Sequence, residues 1–138
     1  MKYISTRGEA PTLSFEEALL AGLATDGGLY VPESWPRLSE AMLKSFQGMR
    51  YQDVAVEVLH PFMADDVPRE NLQAMVEEAY ASFSTEDIAP LTDLGDGQYF
   101  LELYHGPTLA FKDVAMQLLA RLMDDALIRR GERATIIG

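Results

Sequence analysis

Tyr99-Phe100-Leu101-Glu102-Leu103-Tyr104, then His105-Gly106-Pro107-Thr108, then a helical pattern from Phe111 to about Arg130, and finally Ala134-Thr135-Ile136-Ile137 form the stretch that decides the fold. Its order is strand, loop, long helix, strand. Arg129 and Arg130 fall at the helix end whose dipole favours cations, and Gly131 supplies a residue that stops the helix. A strand, a helical crossover and a second strand make a βαβ unit, which demands a parallel pair and a right-handed connection. The expected class is therefore α/β. A parallel pair needs cover on both faces, and a single crossover helix covers only one, so the sheet reads as the opening part of a larger fold.

Working outward, Leu91 to Leu94 and Tyr99 to Tyr104 flank Gly95-Asp96-Gly97, a hairpin signal. Composition shifts after Thr85, and Ala89-Pro90 leads into the strands. This places a mostly helical region over residues 1–88 and the beginning of a parallel-sheet domain over residues 89–138. Within the first region, Ser14 and Glu17 form an S-x-x-E capping box, after which Phe15, Ala18, Leu19, Gly22 and Leu23 share one helix face. Thr25-Asp26-Gly27-Gly28 ends that helix, and Leu29-Tyr30-Val31 before Pro32 suits a short strand. A brief helix is predicted from about Ser39 to Phe46. Another is predicted from Tyr51 to Leu59, closed by His60-Pro61 because the residue before proline avoids helical geometry. The clearest periodicity joins Leu72, Met75, Val76, Ala79, Tyr80 and Phe83, with Pro68 at a first-turn position.

Composition narrows the function classes. The 138 residues are 48% hydrophobic and 24% charged, as in an ordinary globular domain rather than a disordered or fibrous chain. Eleven basic against 22 acidic residues give a net charge of -11 with no local basic concentration, so nucleic acid and anionic membranes are poor partners. The absence of cysteine excludes disulfides, thiolate metal sites and a cysteine nucleophile, and is compatible with a reducing compartment. The longest strictly apolar run, Ala18 to Ala21, is far below a membrane span or a signal-peptide core, so the expected location is the cytoplasm. His60 and His105 are too far apart for zinc-ligand spacing, and Gly95-Asp96-Gly97 lacks the third glycine of a dinucleotide loop. The adjacent acid pairs Glu16-Glu17, Asp65-Asp66, Glu77-Glu78 and Asp124-Asp125 diverge and read as solvated faces.

Lys112 carries the most chemistry. Its neighbours three, four and seven residues on are Ala115, Met116 and Leu119, an apolar face in the first turn of the long helix. The positive end of the helix and an apolar surround both favour the neutral amine. A neutral lysine amine suits a Schiff base with a carbonyl substrate or with pyridoxal phosphate. On spacing alone the default remains a lysine whose stem snorkels and whose ammonium reaches water. Ser5, Thr6 and Arg7 combine two hydroxyls with a guanidinium, a candidate cradle for phosphate or carboxylate; the alternative is an ordinary solvated terminus. His105 stands before a Gly-Pro turn at a strand end, where it is either substrate-side or, more simply, a structural histidine bonded to the loop backbone.

The run Glu102-Leu103-Tyr104-His105-Gly106-Pro107-Thr108-Leu109-Ala110-Phe111-Lys112-Asp113-Val114-Ala115-Met116 resembles the cofactor-attachment segment of the type II fold pyridoxal-phosphate enzymes. That superfamily contains the serine/threonine dehydratases and the threonine synthases. Tyr104 to Asp113 is similar to the threonine synthase version, and Tyr3 to Gly8, Ser14 to Ala18 and Gly22 to Pro32 are similar to that family's opening segment. Residues 34–101 add only compatible helices. The resemblance implies pyridoxal 5'-phosphate held as a Schiff base by Lys112, and conversion of O-phospho-L-homoserine and water to L-threonine and phosphate. The cofactor absorbs electrons while the freed lysine amine moves protons between neighbouring carbons. Phe111 would fix the helix start or stack on the cofactor, Thr108 would cap the helix or donate near the cofactor, and Asp113 is explained as a first-turn acid.

In this family the cofactor phosphate is held by a Gly/Ser/Thr-rich loop after the strand matching Ala134 to Ile137, of which only Gly138 falls in this chain. The chain alone is therefore expected to hold the cofactor poorly and to be inactive. Two other readings stand beside this one. The first is a threonine synthase-like phospholyase that eliminates phosphate without making threonine. The second is a non-catalytic acidic helical module that docks a partner on the Leu72 to Phe83 face.

Overall fold

The computed structural model describes residues 1–137; Gly138, expected to open the phosphate loop, lies outside the described residues. The chain divides into two compact units, residues 1–47 with 56–72, and residues 48–55 with 73 onward. Within the second unit the Tyr80 hydroxyl donates to the Val114 carbonyl at 2.9 Å, and the Tyr80 ring meets Tyr51 edge-on at 5.1 Å. These contacts tie the end of a helix in the first half of the chain to the long helix of the second.

In the first unit β1 (Tyr3–Ser5) pairs antiparallel with β2 (Tyr30–Pro32), Tyr3 opposite Pro32 and Ser5 opposite Tyr30. Between them lies α1 (Phe15–Ala21). The expected capping box is formed: Ser14 N donates to Glu17 Oε2 at 2.8 Å, and Glu17 N donates to Ser14 Oγ at 3.3 Å. Each bond satisfies a backbone donor that the helix cannot. The short α2 (Glu40–Ser45) starts as predicted, with Ser39 Oγ accepting from Met42 N at 3.1 Å. Tyr3, Ala24, Val56, Met63, Val67 and Leu72 are buried in this unit, and the Tyr3 hydroxyl donates to the Phe62 carbonyl at 2.8 Å.

Two helices contribute to both units. The first, α3 (Tyr51–Met63), runs about one turn past the expected stop at His60-Pro61. Proline removes one helical donor but does not by itself end a helix whose last turn is held elsewhere. Here Met63 is buried, and its carbonyl accepts from Asp66 N at 3.0 Å and Val67 N at 2.8 Å. The second, α4 (Arg69–Tyr80), follows Pro68, whose carbonyl accepts the first helical bond from Leu72 N at 3.0 Å. Phe83 lies beyond the helix end, yet its ring still meets Tyr80 edge-on at 5.4 Å, which is why it kept the helical spacing.

The second unit holds the hairpin and the long helix. Strands β3 (Leu91–Gly95) and β4 (Gln98–Leu101) pair antiparallel, and Gly95, Asp96 and Gly97 all adopt positive φ in the turn, as the sequence predicts. Helix α5 (Asp113–Arg130) buries Leu118, Leu122 and Ala126, one stripe at four-residue spacing. Gly131, at φ 65° and ψ 25°, closes the helix while Glu132 N donates to the Leu127 carbonyl at 2.9 Å.

The chain combines five helices with two small sheets, as expected of an α/β chain, but two local expectations are corrected. The strand predicted over Ala134 to Ile137 is not formed, and both sheets among the described residues are two-stranded and antiparallel. A strand exists only as a ladder with a neighbour, and here Ile136 and Ile137 are each 90% exposed. The βαβ pair is accordingly absent from the described residues. In addition, α5 begins at Asp113 rather than Phe111, which leaves Phe111 and Lys112 in the turn that precedes it.

Candidate active-site loop

The chain leaves β4 at Leu101 and is pinned at once by a polar clamp. Glu102 Oε1 accepts from the Thr92 hydroxyl at 2.5 Å, and Glu102 Oε2 accepts from His105 Nε2 at 2.6 Å. These two bonds, with a further one from Tyr104, hold the Glu102 carboxyl below its ordinary range. The same contact with Glu102 raises the Tyr104 phenol, whose ring lies against His105 at a centroid distance of 4.6 Å. On the other side of His105, Ser84 Oγ lies 3.2 Å from Nδ1, and Ser84 N donates to the His105 carbonyl at 2.9 Å. Both ring nitrogens of His105 are thus engaged by protein groups.

Beyond His105 the loop turns on itself. Leu109 N donates to the Gly106 carbonyl at 3.1 Å, and Leu109 adopts φ +61°, a costly conformation for a side-chain-bearing residue. Asp113, only 4% exposed at the head of α5, reaches back across the loop. Its Oδ2 accepts from both Thr108 N and Thr108 Oγ1 at 2.8 Å. Desolvation acts to raise this carboxyl, but the two Thr108 donors, Gln117 and the Ala110 contact outweigh it and hold the group below its ordinary value. Gly106 packs against this side chain so closely that a Cβ there would lie 2.6 Å from Asp113 Oδ2.

The result is a loop closed from inside with Lys112 at its outer end. Lys112 is exposed, in helical geometry with no side-chain capping bond, and Phe111 beside it is 65% exposed. The expected apolar burial of Lys112 is therefore corrected: Ala115 and Met116 are themselves exposed, so that face is apolar but open. Thr108 neither caps α5 nor presents a free hydroxyl, because its hydroxyl is given to Asp113.

The N-terminal trio is also put to a different use. Ser5 Oγ is 2.8 Å from both oxygens of Asp26, to which it donates, and Thr6 Oγ1 accepts from Leu29 N at 3.0 Å. Arg7 NH1 donates to the Asp26 carbonyl at 3.0 Å. The Ser5 hydroxyl is thus given to the Asp26 carboxylate, forming a latch, while Thr6 accepts from the backbone. Gly28 is required here, because a Cβ would stand 3.0 Å from both Asp26 Oδ1 and Thr6 Oγ1.

Partial desolvation of Asp26 acts upward, but the Ser5 hydroxyl and the backbone donors of Gly28, Glu9 and Ala10 prevail and bring its pKa from 3.8 down to about 2. Because the folded value is the lower one, the latch contributes its full stability above the unfolded value and loses it as pH falls through about 2. Urea midpoints measured between about pH 2 and pH 4 should therefore fall more steeply for the native chain than for Asp26→Asn. Equal slopes would contradict this role.

Sequence reasoning treated Asp113 as a dipole acid and did not find the roles of Glu102, Ser84, Thr92 or Asp26. The spacing Thr108 to Asp113 holds a signal only once the loop is known to fold back; Asp26 before two glycines was legible as a side-chain turn, and Gly28 N does donate to Asp26 Oδ1 at 2.9 Å. Among the described residues there is no group of three or more His, Asp or Glu that could hold a metal ion, and no helix long and apolar enough to cross a membrane.

The helices and the antiparallel hairpin of this chain match the amino-terminal part of solved threonine synthases. The family model described as threonine synthase N terminus matches residues 2–80, and the chain belongs to the threonine synthase family. Threonine synthase of Pseudomonas aeruginosa is 51% identical over 138 residues, covering 100% of this chain and 29% of that protein. The enzyme of Methylobacillus glycogenes is 46% identical over 147 residues, covering 100% of this chain and 31% of that protein. The crystal structure of pyridoxal-phosphate-bound threonine synthase from Brucella melitensis superposes with a TM-score of 0.94 at 53% identity, over 96% of this chain and 29% of that one. The chain thus spans under a third of the length of these relatives.

Proposed function

We propose that this chain is the amino-terminal part of an enzyme that converts O-phospho-L-homoserine and water to L-threonine and phosphate, with Lys112 as the residue that carries pyridoxal 5'-phosphate. The observation that supports this most is the placement of Lys112: an exposed amine on a loop fixed from inside by the Asp113 carboxylate and behind by the Glu102–His105 clamp. A covalently held cofactor needs an accessible amine on backbone that does not drift, and both features are present. Lys112 would hold the cofactor, and the exposed Phe111 ring would offer it an apolar edge. When bound, the cofactor supplies an electron sink for carbanion chemistry at the substrate carbons.

The chain's own contribution is to hold and move a proton. Lys112 Nζ, once free, takes and returns protons at neighbouring substrate carbons, a role that requires a flexible stem on a rigid base. His105 keeps that base in place rather than touching substrate, since both its ring nitrogens are engaged. Arg7, with its guanidinium fork, is the member of the N-terminal trio best suited to contact an anion. The full-length enzyme incubated with O-phospho-L-homoserine should release threonine and phosphate in equal amounts. Phosphate with a keto acid and no threonine would instead identify a phospholyase, and no phosphate release would contradict both.

A further inference from the structure

Lys112 and Asp113 are consecutive residues with opposite fates. One is exposed, while the other is 4% exposed and folded beneath the loop that leads to the first. The Asp113 carboxylate spans the turn by accepting both the backbone and the hydroxyl proton of Thr108 on a single oxygen, each at 2.8 Å. Two donors converging on one oxygen favour an anion, and charge-assisted bonds are roughly twice as strong as neutral ones. The N-terminus of an 18-residue helix reinforces that charge. Gly106 completes the arrangement, because only the absence of a Cβ lets the Asp113 side chain lie against the backbone there. The loop also stores strain at Leu109, with φ +61°, which persists only where surrounding contacts over-determine it.

From this geometry we infer that Asp113 is the positioning residue of the active site: through Thr108, and seated against Gly106, it sets where the Lys112 amine stands. The inference rests on the function proposed above. Asp113 does not touch cofactor or substrate; it acts by fixing the backbone from which Lys112 projects. A first-turn acid serving only the helix dipole would need no partner in the loop and no glycine beneath it, and Asp113 has both.

The test uses the full-length holoenzyme with Asp113→Ala, Asp113→Asn, Thr108→Val and Thr108→Ser, reading kcat, KM and the pH profile of the visible absorbance of the lysine-bound cofactor. Misplacement of about 1 Å costs on the order of 10²-fold, so Asp113→Ala should lower kcat by about that factor with KM changed far less, and shift the absorbance profile. Asp113→Asn, which keeps an accepting oxygen, should recover about tenfold of the loss, and Thr108→Ser should resemble the native enzyme where Thr108→Val falls about tenfold. Native kcat and an unshifted profile in Asp113→Ala, with only a lower unfolding temperature, would overturn the inference. Should Asp113→Ala not fold, the Thr108 pair decides, and identical kcat and profiles for Val and Ser would overturn it equally. A native enzyme carrying its cofactor on another lysine would remove the functional reading itself. Native attachment at Lys112 with indifferent variants removes the positioning role alone.

Discussion

Lys112→Ala is expected to lower kcat of the full-length enzyme by at least about 10³-fold while changing stability by no more than about 0.5 kcal/mol. The two halves of this expectation have separate physical sources. The side chain is exposed and makes no capping bond, so truncating it to Ala opens no cavity and leaves no buried partner unsatisfied. Its amine, by contrast, is assigned both covalent attachment and proton transfer, and no neighbouring group in the loop supplies a second amine. Steady-state assays beside thermal unfolding of the two proteins check it. A variant with near-native turnover would return Lys112 to the status of a snorkelling surface lysine, and with it the reading of the chain as a non-catalytic helical module.

Gly106→Ala should act in the opposite manner, damaging stability and activity together. Its Cβ would stand 2.6 Å from Asp113 Oδ2 and 2.8 Å from Asp113 Cγ, well inside contact distance. These atoms belong to a short side chain anchored at the head of α5, so the clash cannot be relieved by swinging a flexible end away. Overpacking of this kind costs about 1–3 kcal/mol. Relief by backbone movement would carry Lys112 with it, and kcat should fall by about 10²-fold. Denaturant midpoints and turnover of the same preparation measure both effects. Native values of both would show that the Gly106 contact is not part of the loop's support.

The features legible in the sequence are those decided by neighbours. The Ser14–Glu17 box, the Gly131 stop and the Gly95 to Gly97 turn each depend on backbone donors or φ values within a few residues, and each is found where expected. The misses involve partners that the sequence does not identify. Pro61 failed to end α3 because Met63 is buried, and no local pattern encodes that burial. Ala134 to Ile137 carries a strand composition without a neighbouring ladder among the described residues. At the site, Lys112 stood out through the resemblance carried by the residues around it, whereas Asp113 and Asp26 act on residues five and 21 positions away. Ser5 shows the same limit, since a carboxylate distant in sequence engages its hydroxyl.

The most direct measurement is chemical. Borohydride reduction of the full-length holoenzyme, followed by proteolysis and mass analysis, should place a pyridoxyl group on the peptide containing Phe111-Lys112-Asp113 and on the Lys112 nitrogen. Recovery of that group on Lys2, Lys44 or a lysine outside this chain, with Lys112 unlabelled, would contradict the account.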